Sequence, residues 1–127
     1  MSQFLWVCVG GAAGTGARYL LSTWLARVLG FGFPFGTLAV NLLGSFLVAV
    51  LMVVGTETTT MSPTLRLALT TGVMGGFTTY SAFSYDTVIY LQQGAWGTAV
   101  LNMAVTVIGC LAACLCGFVL ARWLVGA

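Results

Sequence analysis

Apolar residues run almost unbroken through four stretches of the chain, about 4–29, 36–54, 64–91 and 96–124, with short connections between them. Each stretch reaches or approaches the roughly 20 apolar residues that a helix needs to cross a bilayer. The connections carry turn chemistry. Gly32 and Pro34 lie between Phe31 and Phe35, a threonine-rich loop runs from Gly55 to Pro63, and Gln92 to Gly94 make a tight turn. Pro63 suits the first turn of the next helix, where its missing N–H costs nothing. Trp6, Trp24, Trp96 and Trp123 fall towards the ends of the stretches, at the depth interfacial aromatics prefer. The pattern predicts an all-α integral membrane protein: one domain over residues 1–127, built of four transmembrane helices.

Composition strengthens this expectation. The chain is 60% hydrophobic and 5% charged, against roughly 25% charged residues in soluble domains. Its charges are Arg18, Arg27, Arg66, Arg122, Glu57 and Asp86, with no lysine or histidine. So few cations cannot form a nucleic-acid face, which clusters lysine and arginine. No basic stretch precedes the first apolar run at Phe4 and no cleavage site follows it, so no signal peptide is expected. Cys8, Cys110, Cys114 and Cys116 have no histidine beside them and lie in apolar runs. They are expected to be small buried hydrophobes, neither a zinc site nor a disulfide framework. With two carboxylates far apart and no nucleophile beside a base, the sequence predicts no enzyme.

Four spans put both termini and the 56–63 loop on one side. Arg66 and Arg122 then oppose Arg27 and the deeper Arg18, so the arginine excess that orients membrane proteins nearly vanishes. Either a weak bias still orients the chain, or both orientations insert and pair as an antiparallel dimer.

The densest anomaly is GGFTTYSAFSYD, Gly75 to Asp86. Paired glycines and β-branched threonines are poor helix formers. Two structures fit the stretch. In one, the helix breaks at 75–79 and frees carbonyls, which survive in a bilayer only when buried in protein or lining a polar cavity. Broken transporter helices hold sodium by such groups. In the other, a weakened helix continues and its hydroxyls bond back one turn. Tyr80 and Phe83 share a face three residues apart, as packing rings or as ring edges presented to an anion. Ser81 and Ser84 place hydroxyls nearby. In the last stretch Thr98, Asn102, Thr106, Cys110 and Cys114 recur every fourth residue, a stripe suited to a helix seam or a pore lining. Asn41 brings an amide that must be satisfied. Arg18 and Asp86 are the deepest charges, expected in a vestibule or against each other.

These residues resemble the Fluc (CrcB-type) fluoride channel family over essentially the whole chain. Gly10-Gly11-Ala12-Ala13-Gly14 leads into Arg18-Tyr19. FPFGTLAVNLLGS, Phe33 to Ser45, is similar to the family's Gly-Thr-Leu-x-Val-Asn-x-x-Gly signature, and GGFTTYSAFS, Gly75 to Ser84, to its Gly-Gly-x-[ST]-Thr-Phe-Ser-Thr-Phe-Ser. The resemblance implies a passive fluoride-selective channel in the cell membrane (inner or plasma membrane, multi-pass). It would release fluoride from the cytoplasm and limit its toxicity, working as an antiparallel dual-topology homodimer. It also implies a structural Na+ at the dimer centre, held by the backbone carbonyls of Gly75 and Thr78. The implied fluoride path runs past Asn41, Tyr80, Ser81, Phe83, Ser84, Thr106, Cys110 and Cys114, with Arg18 and Asp86 in the vestibules. Two positions depart from the family pattern. Tyr80 stands where phenylalanine is usual, and Cys110 and Cys114 stand on a track commonly richer in hydroxyls.

Two other readings compete. Small multidrug transporters also have four spans, but they use a carboxylate within the first span, where this chain has Arg18. A non-transporting membrane assembly protein is the third.

Overall fold

The computed structural model describes residues 1–127. It is entirely helical between its connections. Helix α1 spans Ser2–Leu29 and α2 spans Phe35–Glu57. The third expected segment is composite. Helix α3, Pro63–Leu67, opens into a π-helical stretch, Ala68–Met74, which passes into one turn, α4, Gly75–Phe77. Two extended residues separate this turn from α5, Tyr80–Gln92, and α6 spans Trp96–Val125. Ser62 caps α3 by accepting from the Leu65 N–H at 3.1 Å, directly before Pro63.

By length and apolarity together, α2 and α6 are the helices that qualify as membrane spans, with mean hydropathies of 2.4 and 2.5. Glycine, serine, threonine and Arg18 dilute α1, and the polar stretch dilutes the third segment. Only 20 of the 127 residues are buried. Exposed groups include Leu20, Trp24, Ile108, Leu111, Leu115 and Trp123. Such a continuous apolar exterior matches lipid or another apolar protein surface, not water.

Small residues bring the helices together. A Cβ on Gly10 would lie 2.5 Å from the Ala68 carbonyl oxygen, and one on Gly14 would lie 2.9 Å from the Phe77 nitrogen. The Gly10-x-x-x-Gly14 face thus lets α1 meet the π-helical stretch and α4 backbone to backbone. From the opposite side Gly76 approaches Thr15, where an added Cβ would lie 3.0 Å from the backbone nitrogen. Helix α6 packs on α2, with Gly117 against Phe46 and Gly109 against Leu42; its buried residues are Ala99, Asn102, Thr106, Gly117 and Ala121, and its other faces are largely exposed.

The glycines at 75 and 76 do not unwind the chain here. Both are helical, and the extended residues are Thr78 (φ −88, ψ 157) and Thr79 (φ −151, ψ 118). Gly76 serves close packing against α1 instead.

Charges at the two ends differ little. Near loop 58–62, Arg66 Nη1 donates to the Gly55 carbonyl at 3.1 Å and Arg122 lies 3.7 Å from Glu57. Arg27 occupies the last turn of α1 at the opposite end of α2.

Candidate functional site

Thr78 keeps the last helical hydrogen bond of its run, and Thr79 is held from outside. The Thr78 N–H and hydroxyl both donate to the Met74 carbonyl, at 3.0 and 2.9 Å. Thr79 caps α5, its hydroxyl accepting from the Ala82 N–H at 3.2 Å. The Thr79 backbone is satisfied from another helix. Its N–H donates to the Asn41 side-chain oxygen at 2.7 Å, and the Asn41 amide donates to its carbonyl at 2.9 Å. One amide therefore replaces both bonds that a continuous helix would have supplied at this residue.

Arg18 braces the turn before it. Its Nε donates to the Gly76 carbonyl at 2.9 Å. That carbonyl lies at the C-terminal end of a helical run, where unpaired oxygens accumulate partial negative charge, so a guanidinium is favourable there.

Beside the extended residues lies a cavity of about 350 Å³ bordered by Asn41, Ser45, Thr78, Thr79, Tyr80, Phe83, Thr106 and Cys110, with the exposed Val107 and Leu111 at its edge. Tyr80 and Phe83 meet edge to face, centroids 5.5 Å apart and planes at 61°. Phe83 is buried, whereas Tyr80 is 79% exposed. A buried chain of hydrogen bonds supports the cavity wall. The Thr106 hydroxyl donates to Asn102 at 3.3 Å, Asn102 to the Thr87 hydroxyl at 3.0 Å, and Thr87 to the Phe83 carbonyl at 2.8 Å. This chain ties α6 to α5 at the Phe83 backbone.

The structure gathers five of the eight expected path residues at this cavity: Asn41, Tyr80, Phe83, Thr106 and Cys110. The other three lie elsewhere. Ser81 is exposed and shares a hydrogen bond with the Thr79 hydroxyl at 3.2 Å. Ser84 donates to the Tyr80 carbonyl at 3.0 Å, so its proton is used within α5. Cys114 lies one turn beyond the cavity, half-buried on α6.

Gly75 and Thr78 border a second cavity of about 230 Å³ with Gly44, Ser45 and Thr70. Asp86 borders a third, of about 210 Å³, at the end of the bundle beside Phe33, Phe35 and Tyr90, where its carboxylate accepts from the Thr37 hydroxyl at 3.2 Å. Arg18 and Asp86 do not meet; each has its own partner.

Ser45, Thr79, Asn102 and Thr87 were not singled out from the sequence as site residues. Ser45 lies four residues after Asn41, one turn along the same face, and that spacing was the available signal. Asn102 carried a signal in the four-residue stripe, but its partner Thr87 had none.

The cavity can offer an anion neutral donors and ring edges. Asn41 retains one amide proton beyond the one donated to Thr79. Ser45 adds a hydroxyl and Cys110 a weak thiol donor. No cationic side chain borders the cavity.

The chain matches the model of the family described as CrcB-like protein, Camphor Resistance (CrcB), over residues 5–118. It is 49% identical to a protein of Sorangium cellulosum named fluoride-specific ion channel FluC, over 98% of both chains. A protein of the same name from Anaeromyxobacter dehalogenans is 50% identical, over 99% of this chain and 100% of the relative. Another from Geobacter sulfurreducens is 45% identical, over 98% and 100%.

Proposed function

The chain belongs to the CrcB-like family, a family of membrane proteins, and we propose that it is a fluoride-selective channel whose path runs through the cavity beside Thr78 and Thr79. The observation that carries this reading is the lining itself: Asn41, Ser45 and the edge-paired Tyr80 and Phe83, with no cation among them. Fluoride is small and strongly hydrated, so donors and positive ring edges must replace water at close range. Neutral groups can do this without trapping the ion, since conduction needs release as well as capture. Arg18 keeps its charge off the cavity by bonding the Gly76 carbonyl.

The same reading assigns the direction and the assembly. Fluoride enters cells as HF and ionises inside, so a passive path in the cell membrane lets it leave and limits its toxicity. The working unit is an antiparallel homodimer of chains inserted in both orientations, and the small arginine excess, Arg66 and Arg122 at one end against Arg27 at the other, supports this. Gly75 and Thr78 would contribute backbone carbonyls to a shared Na+. They border one cavity with Ser45, and a Cβ added to Gly75 would meet nothing within 4 Å. Oxygen ligands and an open approach suit a hard cation. When bound, the ion supplies positive charge near the path without touching the anion.

Purified protein in liposomes tests the reading. Fluoride efflux is expected, with chloride efflux slower by at least about two orders of magnitude, or ~2.7 kcal/mol of discrimination. Replacing all sodium with a large organic cation is expected to slow fluoride. Folded protein that passes no fluoride overturns the channel reading, and export of a cationic dye favours a multidrug-type transporter.

Topology has a separate test. Two lysines added between Phe31 and Pro34 should orient every chain one way and abolish efflux. Co-expression with a second variant, carrying two lysines in the 58–62 loop, should restore it. Full activity of either variant alone overturns antiparallel pairing.

A further inference from the structure

Two thiols stand one turn apart on α6, the first of them at the cavity. Cys110 borders the 350 Å³ cavity, and Cys114 follows one turn later on the same face, both partly buried. Residues four apart on a helix have Cβ atoms roughly 5–6 Å apart, within reach of a single ion bridging two sulfurs. Cys8 and Cys116 are different. Both are exposed, and Cys116 shares an outward apolar surface with Leu115, Val119 and Trp123.

We propose that Cys110 and Cys114 form a two-coordinate site for a soft monovalent cation, Ag+ or Cu+, and that its occupation closes the ion path. Thiolate sulfur selects soft cations over hard ones. Two ligands satisfy an ion that prefers linear coordination, whereas zinc would need four. No histidine, aspartate or glutamate lies close enough to complete a larger set. Each thiol loses its proton to water as its sulfur–metal bond forms. Two thiolates and one monovalent cation leave a net charge of −1 beside Asn41, Ser45 and Thr106, where the empty site was neutral. That charge repels an incoming anion, and the ion takes space at the cavity wall.

The closure rests on the proposed fluoride path; the metal site itself does not. The probe is Ag+ as its nitrate, in chloride-free buffer, applied to the purified protein in liposomes. Fluoride efflux is compared with and without Ag+ in each variant, and bound silver per chain is measured by elemental analysis. Wild type should bind one Ag+ per chain in this site, and its efflux should fall at least about tenfold at saturation. Cys110→Ser should bind Ag+ at least about tenfold more weakly, and should lose the inhibition whatever its own rate, because the remaining sulfur lies a turn beyond the cavity. Cys114→Ser should need at least about tenfold more Ag+ for the same inhibition, because one ligand is gone. Cys8→Ser/Cys116→Ser should behave as wild type. Inhibition that survives Cys110→Ser, or that is equally sensitive in Cys114→Ser, overturns the proposal. If wild type passes no fluoride without Ag+, the channel reading fails while silver stoichiometry in the variants still decides the site. Should Cys110→Ser not fold, the silver sensitivity of Cys114→Ser alone decides between the same two outcomes.

Discussion

Asn41→Leu is expected to reduce fluoride efflux by about two orders of magnitude or more, an effect of ~3 kcal/mol if it acts on the path alone. Asn41 is buried, and its amide satisfies both the N–H and the carbonyl of Thr79. Leucine fills similar space and satisfies neither. Leaving a buried polar group unpaired costs about 1–3 kcal/mol, so two cost roughly 2–6 kcal/mol. The backbone can relieve this cost only by moving Thr79, which moves the cavity wall between Phe83 and Ser45. Asn41→Asp separates the two bonds. It keeps an acceptor for the Thr79 N–H but turns an oxygen towards the Thr79 carbonyl, so it too should lose efflux. Liposome flux on monodisperse protein checks both. Efflux within twofold of wild type for the leucine variant would show that the clamp does not hold the path.

The second large effect concerns folding. Gly14→Ala should prevent recovery of monodisperse protein, because its new Cβ would lie 2.8 Å from the Val73 carbonyl carbon and 2.9 Å from the Phe77 nitrogen. These are backbone atoms, and they cannot rotate away as the end of a side chain could. Helix α1 would have to move off the π-helical stretch and off Gly76, whose carbonyl Arg18 binds. Gly16→Ala is the internal control. Nothing lies within 4 Å of that position, and alanine in a helix interior is favoured over glycine by roughly 0.5–1 kcal/mol. It should fold as well as wild type or better. Size-exclusion profiles of the two variants in detergent decide the matter; equal recovery of both would mean that α1 does not pack this closely.

The helical segments were legible in the sequence because membrane helices announce themselves by long apolar runs, and their ends by proline, glycine and polar clusters. The observed helices extend the expected bounds by a few residues, mainly at the termini, where apolar count is a poor guide to hydrogen bonding. The interior of the third segment was less legible. Glycine is a weak helix former in water, so Gly75 and Gly76 were natural candidates for unwinding. Their backbone remains helical because a missing Cβ also permits close approach, and α1 occupies the space beside Gly76. The extended residues are the two threonines, and what holds Thr79 there is Asn41, far away in sequence. No local propensity encodes such a bond. The same limit applies to Thr87, whose partner Asn102 lies on the next helix. The cavity was legible as a set of residue types, whereas the proton balance within it was not: Ser84 and Thr106 carry hydroxyls whose protons are already bound to protein oxygens.

The clamp on Thr79 also makes the interruption conditional on α2. When residues 63–92 first enter the bilayer, a Thr79 without a partner for its backbone would face hydrocarbon, where each unpaired group costs several kcal/mol. A lone hairpin half in lipid is therefore best served by a helix that runs straight through Thr78 and Thr79. Only after α2 has docked and brought Asn41 alongside does the interrupted form become the cheaper one. The interruption therefore belongs to the tertiary structure and not to the segment: without Asn41 alongside, residues 78 and 79 gain nothing by leaving the helix.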